Sequence, residues 1–417
     1  MQKGQIVIVG IALAFLAVSA GAAIVLPTDG AGSDGAFTPS NSMAAHLDLG
    51  QALTGDWSTT NGDNRRGVYD PEQWAVIFRF TEVNIPEGVE VTFTNNITHA
   101  PVIWLVQGDV IINGKVNLNG KGGIQSDDLQ VGYLSTAFTE PGPGGFRGGR
   151  GSAAGTTNGS PGLGIGGGNR NEGASFSGGP VVYGNAGCFP LIGGSGGGGA
   201  GNASGGAGGG AILIASEGAI IIGPKGAIMA QGGECNYNRG NGAGSGGMIR
   251  LVADTVTVEG DLQAVGGGGQ IPGYNGRIRI EADTRSLTGS IHPEAVSTVP
   301  GAPLRLLRDD ATPRLTPLTL GGKPIPADPK ALMSSLADIY INELGLATLV
   351  VEAENVPPSM AVTARMMRRE GEVDSSDLAE TPLKMVKSDG VKSTWQGDVE
   401  VISGFSALQV HGVFPEE

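Results

Sequence analysis

The chain has 417 residues and a net charge of −14, with 74 glycines, 5% aromatic residues and 16% charged residues. Glycine at about 18% against a usual ~7% is the anomaly, and the absence of a Gly-X-Y period excludes collagen. The acidic balance excludes a nucleic-acid partner, which would need clustered Lys and Arg; the one basic cluster, Met366-Met367-Arg368-Arg369, is followed by Glu370 and Glu372.

Residues 1–26 read as an export signal. Met1-Gln2-Lys3 supplies a positive start, Ile6 to Leu26 is apolar, and Ala20-Gly21-Ala22 is a small-x-small cleavage site. The run also reaches the ~20 residues that span a bilayer, so an uncleaved N-terminal membrane anchor stands beside cleavage. Residues 27–72 read as a spacer and N-terminal cap. From Trp74 the texture is short β-type runs: Ala75 to Phe80, then Val89 to Phe93, separated by the turn signal Pro86-Glu87-Gly88.

A unit then recurs: VIWLVQGDVIINGKVNLNGKGG at 102–123, AILIASEGAIIIGPKGAIMAQGG at 211–233, and MIRLVADTVTVEGDLQAVGGGG at 248–269. A degraded copy, RIRIEADTRSLTGSIHPEA, occupies 277–295. Each copy has three short apolar runs with period-2 alternation, which means strands. Self-similarity at this spacing means stacked units that bury their apolar faces on their neighbours. The expected fold is all-β: a right-handed parallel β-helix (solenoid) over 73–298 with long Gly-rich loops.

The largest loop, a Gly-rich insertion at 124–210, holds 30 glycines between Pro141 and Gly210. Aromatic and aliphatic residues at intervals, among them Phe138, Phe146, Phe176, Phe189 and Ile192, separate it from a Gly/Ser tether and suggest an irregular excursion pinned to the helix. A Pro-rich linker follows at 299–338, with Ala331 to Ile341 as a short helix. Alternating patterns over 339–417 suggest a small antiparallel β-sandwich, Ig-like in general shape but without a Cys–Trp–Cys signature.

Chemical motifs are sparse. Gly194 to Gly199 matches GxGxxG, but it lies between a loop and a strand rather than between a strand and a helix, so the phosphate reading fails. His46, His99, His292 and His411 show no ligand spacing. Asp254 and Asp283 follow strands in two adjacent copies, which makes them a weak candidate metal pair beside a turn-capping role. Asp127-Asp128 is the weak catalytic candidate, since glycoside hydrolysis uses paired carboxylates. Cys188 and Cys235 are expected to form a disulfide in an exported protein, closing a loop of about 48 residues worth about 4 kcal/mol; two unrelated thiols are the alternative. Trp57, Trp74, Trp104 and Tyr133 are candidate sugar-stacking residues if exposed, with Trp104 read as core. No cofactor is indicated.

The repeat units resemble exported bacterial β-helix proteins of the pectin-lyase-like class. More narrowly, YDPEQWAVIFRF (69–80), APVIWLVQGDV (100–110), PLIGGSGGGG (190–199), GGGAILIA (208–215), SGGMIRLVA (245–253) and GRIRIEA (276–282) resemble uncharacterised glycine-rich secreted bacterial proteins. The resemblance implies fold and export. Polygalacturonase-like members carry Asn-Thr-Asp, Asp-Asp, Gly-His-Gly and Arg-Ile-Lys; here only Asp127-Asp128 and a loose Arg277-Ile278-Arg279 correspond. The expectation is a secreted or cell-surface protein, structural or adhesive rather than enzymatic, whose partners are polysaccharides or other surface components. A polysaccharide lyase or hydrolase and a carbohydrate-binding surface protein are the alternatives.

Overall fold

A computed structural model describes residues 24–43, 45–57, 67–124, 139–149, 187–198, 203–235, 242–269, 272–300, 305–310, 312–326, 337–368, 380–401 and 406–413. The described chain is all-β, apart from one 3-10 turn at Gln51–Leu53. Three short strands open it: β1 (Ala36–Phe37), β2 (His46–Asp48) and β3 (Val68–Asp70). Five three-strand units follow. They are β4 (Ala75–Phe80), β5 (Glu82–Ile85) and β6 (Glu90–Thr94); β7 (Val102–Val106), β8 (Val110–Ile112) and β9 (Lys115–Asn117); β10 (Ala211–Ser216), β11 (Ala219–Ile222) and β12 (Ala227–Met229); β13 (Met248–Val252), β14 (Thr255–Val258) and β15 (Asp261–Gln263); and β16 (Arg277–Glu281), β17 (Thr284–Leu287) and β18 (Ser290–His292), closed by β19 (Val296–Thr298). The first unit adds β5 to the two runs recognised in the sequence.

Each unit gives one strand to each of three sheets, ordered β3-β4-β7-β10-β13-β16-β19, β1-β5-β8-β11-β14-β17 and β2-β6-β9-β12-β15-β18. All pairings within them are parallel except β3 with β4. The register holds equivalent positions in columns. Val76, Val102, Ile212, Ile249 and Ile278 form one, and Phe78, Trp104, Ile214, Leu251 and Ile280 the next. Both point into a single core shared by the three sheets. Because the strands are parallel and in register, like packs on like, and each apolar side chain is covered above and below.

The seven-stranded sheet is apolar on its outer face too. Ile77, Ile103, Leu213 and Met248 form a second cluster, covered by Ile24, Leu26, Cys188, Leu191 and Leu306. A strand buried on both faces reads as a continuous apolar run, which explains AILIAS in β10. The cover includes the end of the run assigned to the export signal: Ile24 and Leu26 are part of the fold. Their N–H groups donate to Asp254 Oδ1 (3.2 Å) and Glu217 Oε1 (3.0 Å), carboxylates at corresponding corners of successive units. The chain then runs along that corner to Asp34, whose Oδ2 accepts the Arg79 N–H at 2.6 Å.

Beyond the units, β20 (Arg314–Leu320), β21 (Lys323–Pro324), β22 (Gly345–Glu354), β23 (Ala361–Arg368), β24 (Thr381–Pro382), β25 (Lys384–Ser388), β26 (Lys392–Val401) and β27 (Ser406–Val413) form two antiparallel sheets. Their orders are β21-β20-β22-β26-β25 and β24-β23-β27. They share a core in which Leu349, Val351 and Val399 meet Val362 and Ala364. The expected linker therefore ends early, because β20 lies inside it. Its Pro317 is accommodated by a register shift between Pro317 and Thr319 against β22, a place where a missing N–H is tolerated. Within the expected helix Ala331 to Ile341, residues 331–336 lie outside the described residues and 337–341 are irregular.

Candidate functional site

The described glycine-rich segments are ordered by a hydrogen-bond pattern that is neither helical nor β. Along 204–211 successive N–H groups donate to three different segments of the chain in strict rotation. Ser204, Ala207 and Gly210 donate to the carbonyls of Ile124, Lys121 and Leu118; Gly205, Gly208 and Ala211 donate to Gly149, Phe146 and Pro143; Gly206 and Gly209 donate to Gly242 and Ser245. Each row advances three residues on both partners. A strand sends its N–H groups alternately to two neighbours, whereas a chain with three residues per turn aims them about 120° apart. The segment 204–211 is thus a polyproline II-type helix packed among others.

The same step of three recurs elsewhere. Gly194 and Gly197 donate to Gly209 and Gly206, Gly244 and Gly247 to Gly233 and Ala230, and Gly273 and Gly276 to Gly267 and Ala264. At many of these glycines the packing admits no side chain. A Cβ at Gly208 would lie 1.8 Å from the Gly194 carbonyl oxygen, and one at Gly209 2.1 Å from that of Ala230. The insertion expected to be irregular is, where described, a lattice of backbone on backbone, with its amides consumed by carbonyls. This also gives the physical reason that Gly194 to Gly199 is no phosphate cradle: the N–H groups of Gly194 and Gly197 are already used.

The lattice has direction. Gly210, Gly247 and Gly276 join β10, β13 and β16, while Ile124, Gly149, Gly198, Ser204 and Gly242 meet one another at the far edge. The described segments therefore run between the sheets and that edge.

Where 139–149 returns to the sheets sits the main charged cluster of this region. His99 has φ +47° and Trp74 φ +46°, left-handed values that are strained for large side chains. Trp74 Nε1 donates to the Thr98 carbonyl (3.0 Å), and the buried Asn96 Oδ1 accepts from both N–H and hydroxyl of Thr98. His99 is 3% exposed, with its Nδ1 buried and without a hydrogen-bond partner. Burial first, and Arg147 second, push its pKa down to about 3. Its 3.8 Å approach to Glu140 is therefore a contact of a neutral ring; the ion pair belongs to Arg147 and Glu140, at 2.7 Å.

The chain matches no family model, no curated protein and no solved structure. The geometry carries the functional reading alone.

The sequence candidates are dispersed. Asp127, Asp128 and Tyr133 lie outside the described residues. Asp254 and Asp283 flank the paired Thr255 and Thr284, but Asp254 binds the Ile24 N–H and Asp283 is exposed. No group of three metal-ligating side chains occurs among the described residues. Cys188 and Cys235 are not joined, contrary to the expected disulfide; each is a buried thiol. Cys188 lies in the apolar cover of the outer sheet face, while Cys235 sits beside Gly269 in the lattice. Burial pushes the Cys188 thiol up to about 11, which makes it a poor nucleophile.

The sugar-stacking candidates also change. Trp57 and Trp104 are core residues, with Trp57 Nε1 donating to the Gly67 carbonyl (2.9 Å), and Trp74 packs half-buried against that core. His46 (hydrogen-bonded to Thr92 and Thr94) and His292 sit on β2 and β18, the two edge strands of one sheet, and His411 sits on β27 of another. Arg277 and Arg279 point outward from β16, and Arg279 Nε donates to Glu281 Oε1 at 2.8 Å. Sequence reasoning missed the charge cluster on this outer face. Its signal was the alternation Arg277-Ile278-Arg279-Ile280-Glu281, polar at every outward position of the strand, together with Arg250 at the register position of Arg279. Among the described residues no helix is long and apolar enough to cross a membrane.

Proposed function

We infer that this is an exported parallel β-helix protein of the cell envelope or extracellular matrix, structural or adhesive, with a terminal Ig-like sandwich. The observation that carries the reading is the glycine lattice. Its described segments run between the units and one edge and are fixed by backbone hydrogen bonds. Such a body presents surface; its polar backbone groups face each other rather than a substrate. The three rotating parallel sheets support the β-helix, and the shared core of the two antiparallel sheets supports the sandwich. The small-x-small site at Ala20-Gly21-Ala22, just before the docked Ile24, supports export with cleavage. Partners of the matching kind are polysaccharides or other surface components, bound without turnover.

The test is a glycan array run beside activity screening of the full chain on pectin, alginate and host polysaccharides. Retention on a polysaccharide that emerges uncleaved is the expected result. Depolymerisation of any of these substrates would replace this reading with that of a lyase or hydrolase.

A further inference from the structure

The outer face of the seven-stranded sheet holds a cluster of arginines around a buried carboxylate. Arg250 on β13 pairs in register with Arg279 on β16, and Met248 with Arg277. Glu281 Oε1 accepts from Arg250 Nε and from Arg279 Nε, each at 2.8 Å. Arg250 and Glu281 are 4% and 3% exposed. Arg277 Nε is buried and has no hydrogen-bond partner. The charges that act on the neighbouring Cys188 thiol are Arg250, Arg277, Arg279 and Glu281. Arg250 and Glu281 are thus taken out of water together, where burial makes any unmet hydrogen-bonding capacity of a charged group costly.

Arg250 also lines a small cavity between the sheet and its cover. The floor is Ile103 and Leu213, the roof is Leu191 and Leu306, and Arg308 stands at the side. The Arg308 backbone is fixed there: its N–H donates to Gln73 Oε1 (2.6 Å), and its carbonyl accepts from Gln73 Nε2 (3.0 Å). Among the described residues the Nε bond to Glu281 is the one side-chain hydrogen bond of Arg250, so the remaining N–H donors of its guanidinium are left for the cavity it lines. Apolar walls with two guanidiniums suit a small anion, which gains charge-assisted bonds from groups that are already desolvated.

We propose that this cavity binds one small monovalent anion, a halide or a single carboxylate group, between Arg250 and Arg308. Bound there, the anion fastens the 305–310 segment and the 188–191 segment to the stacked units. The site lies on the outer sheet face, and it stands whether or not the protein is adhesive.

Thermal unfolding of the full chain at constant ionic strength tests this, with sodium gluconate replaced stepwise by chloride, bromide or formate. Gluconate is too large for the cavity. A saturable rise in Tm of several degrees is expected with the small anions. Formate alone acting would identify a carboxylate site, and the halides acting equally a general small-anion site. Arg250→Leu should abolish the rise and Arg308→Gln should reduce it by more than half, while Arg365→Gln in the second core leaves it intact. Should Arg250→Leu fail to fold, Arg308→Gln decides. Identical melting in all four salts, or an undiminished rise in Arg308→Gln, would overturn the proposal.

Discussion

A single methyl group added at Gly208 would sit 1.8 Å from a carbonyl oxygen of a neighbouring segment, whereas one added at Gly122 meets nothing closer than 3.6 Å. The two positions belong to the same lattice and test it as a pair. Gly208→Ala is expected to cost about 3 kcal/mol, the upper end of overpacking, since backbone cannot retreat as a side chain can. Gly122→Ala should stay within about 1 kcal/mol of the parent, because only the unfolded chain feels it. Urea unfolding of both variants measures the difference. His99 gives a second residue-scale test. Its folded pKa of about 3 lies below the 6.5 of a free histidine. The folded state thus refuses a proton that the unfolded state accepts. Stability is full above about pH 6.5 and is lost as pH falls toward 3, by up to about 1.4 kcal/mol per pH unit. His99→Asn, which tolerates the left-handed backbone, should show a shallower loss between pH 7 and 4.5. An unchanged slope would mean that His99 is not the titrating group.

At the scale of elements, legibility followed side-chain content. The four recurring units were readable because β-branched columns repeat in order, and Ile214 shows why they hold. It lies between Trp104 and Leu251 in one column and is fully buried. Ile214→Ala should cost about 2–5 kcal/mol, read by denaturant unfolding. The first unit was partly hidden, because β5, Glu-Val-Asn-Ile, offers only two apolar residues and is separated from β4 by Thr81 alone. Strand β20 was hidden by Pro313 and Pro317, which argue for a connector until the register shift in its pairing is seen. The lattice segments were hidden most deeply. A three-fold backbone leaves its period in the residues that may carry a side chain, and in 204–210 that trace is only Ser204 and Ala207. With glycine in nearly every other place, the pattern could not be told from low complexity.

For the molecule as a whole, two kinds of order are joined end to end. Stacked strands bury side chains, and the glycine segments that leave them bury backbone. The first is driven by apolar area. In the second, each close approach is permitted by the absence of Cβ, and the entropy lost at glycine, about 0.5–1 kcal/mol per residue, is offset by amide–carbonyl bonds of about 1 kcal/mol each. The site predictions fared worst at this scale. Cys188 and Cys235, close in character and both in glycine-rich sequence, belong to different layers that the sequence could not separate. The central claim is that the glycine-rich chain is a rigid scaffold rather than a tether, and amide hydrogen exchange of the full chain tests it most directly. The N–H groups of Gly205 to Gly210 and of Gly242 to Gly247 should exchange as slowly as those of β10, because they open only with the sheets. Exchange at the rate of an unstructured glycine chain, beside a protected β10, would contradict the account.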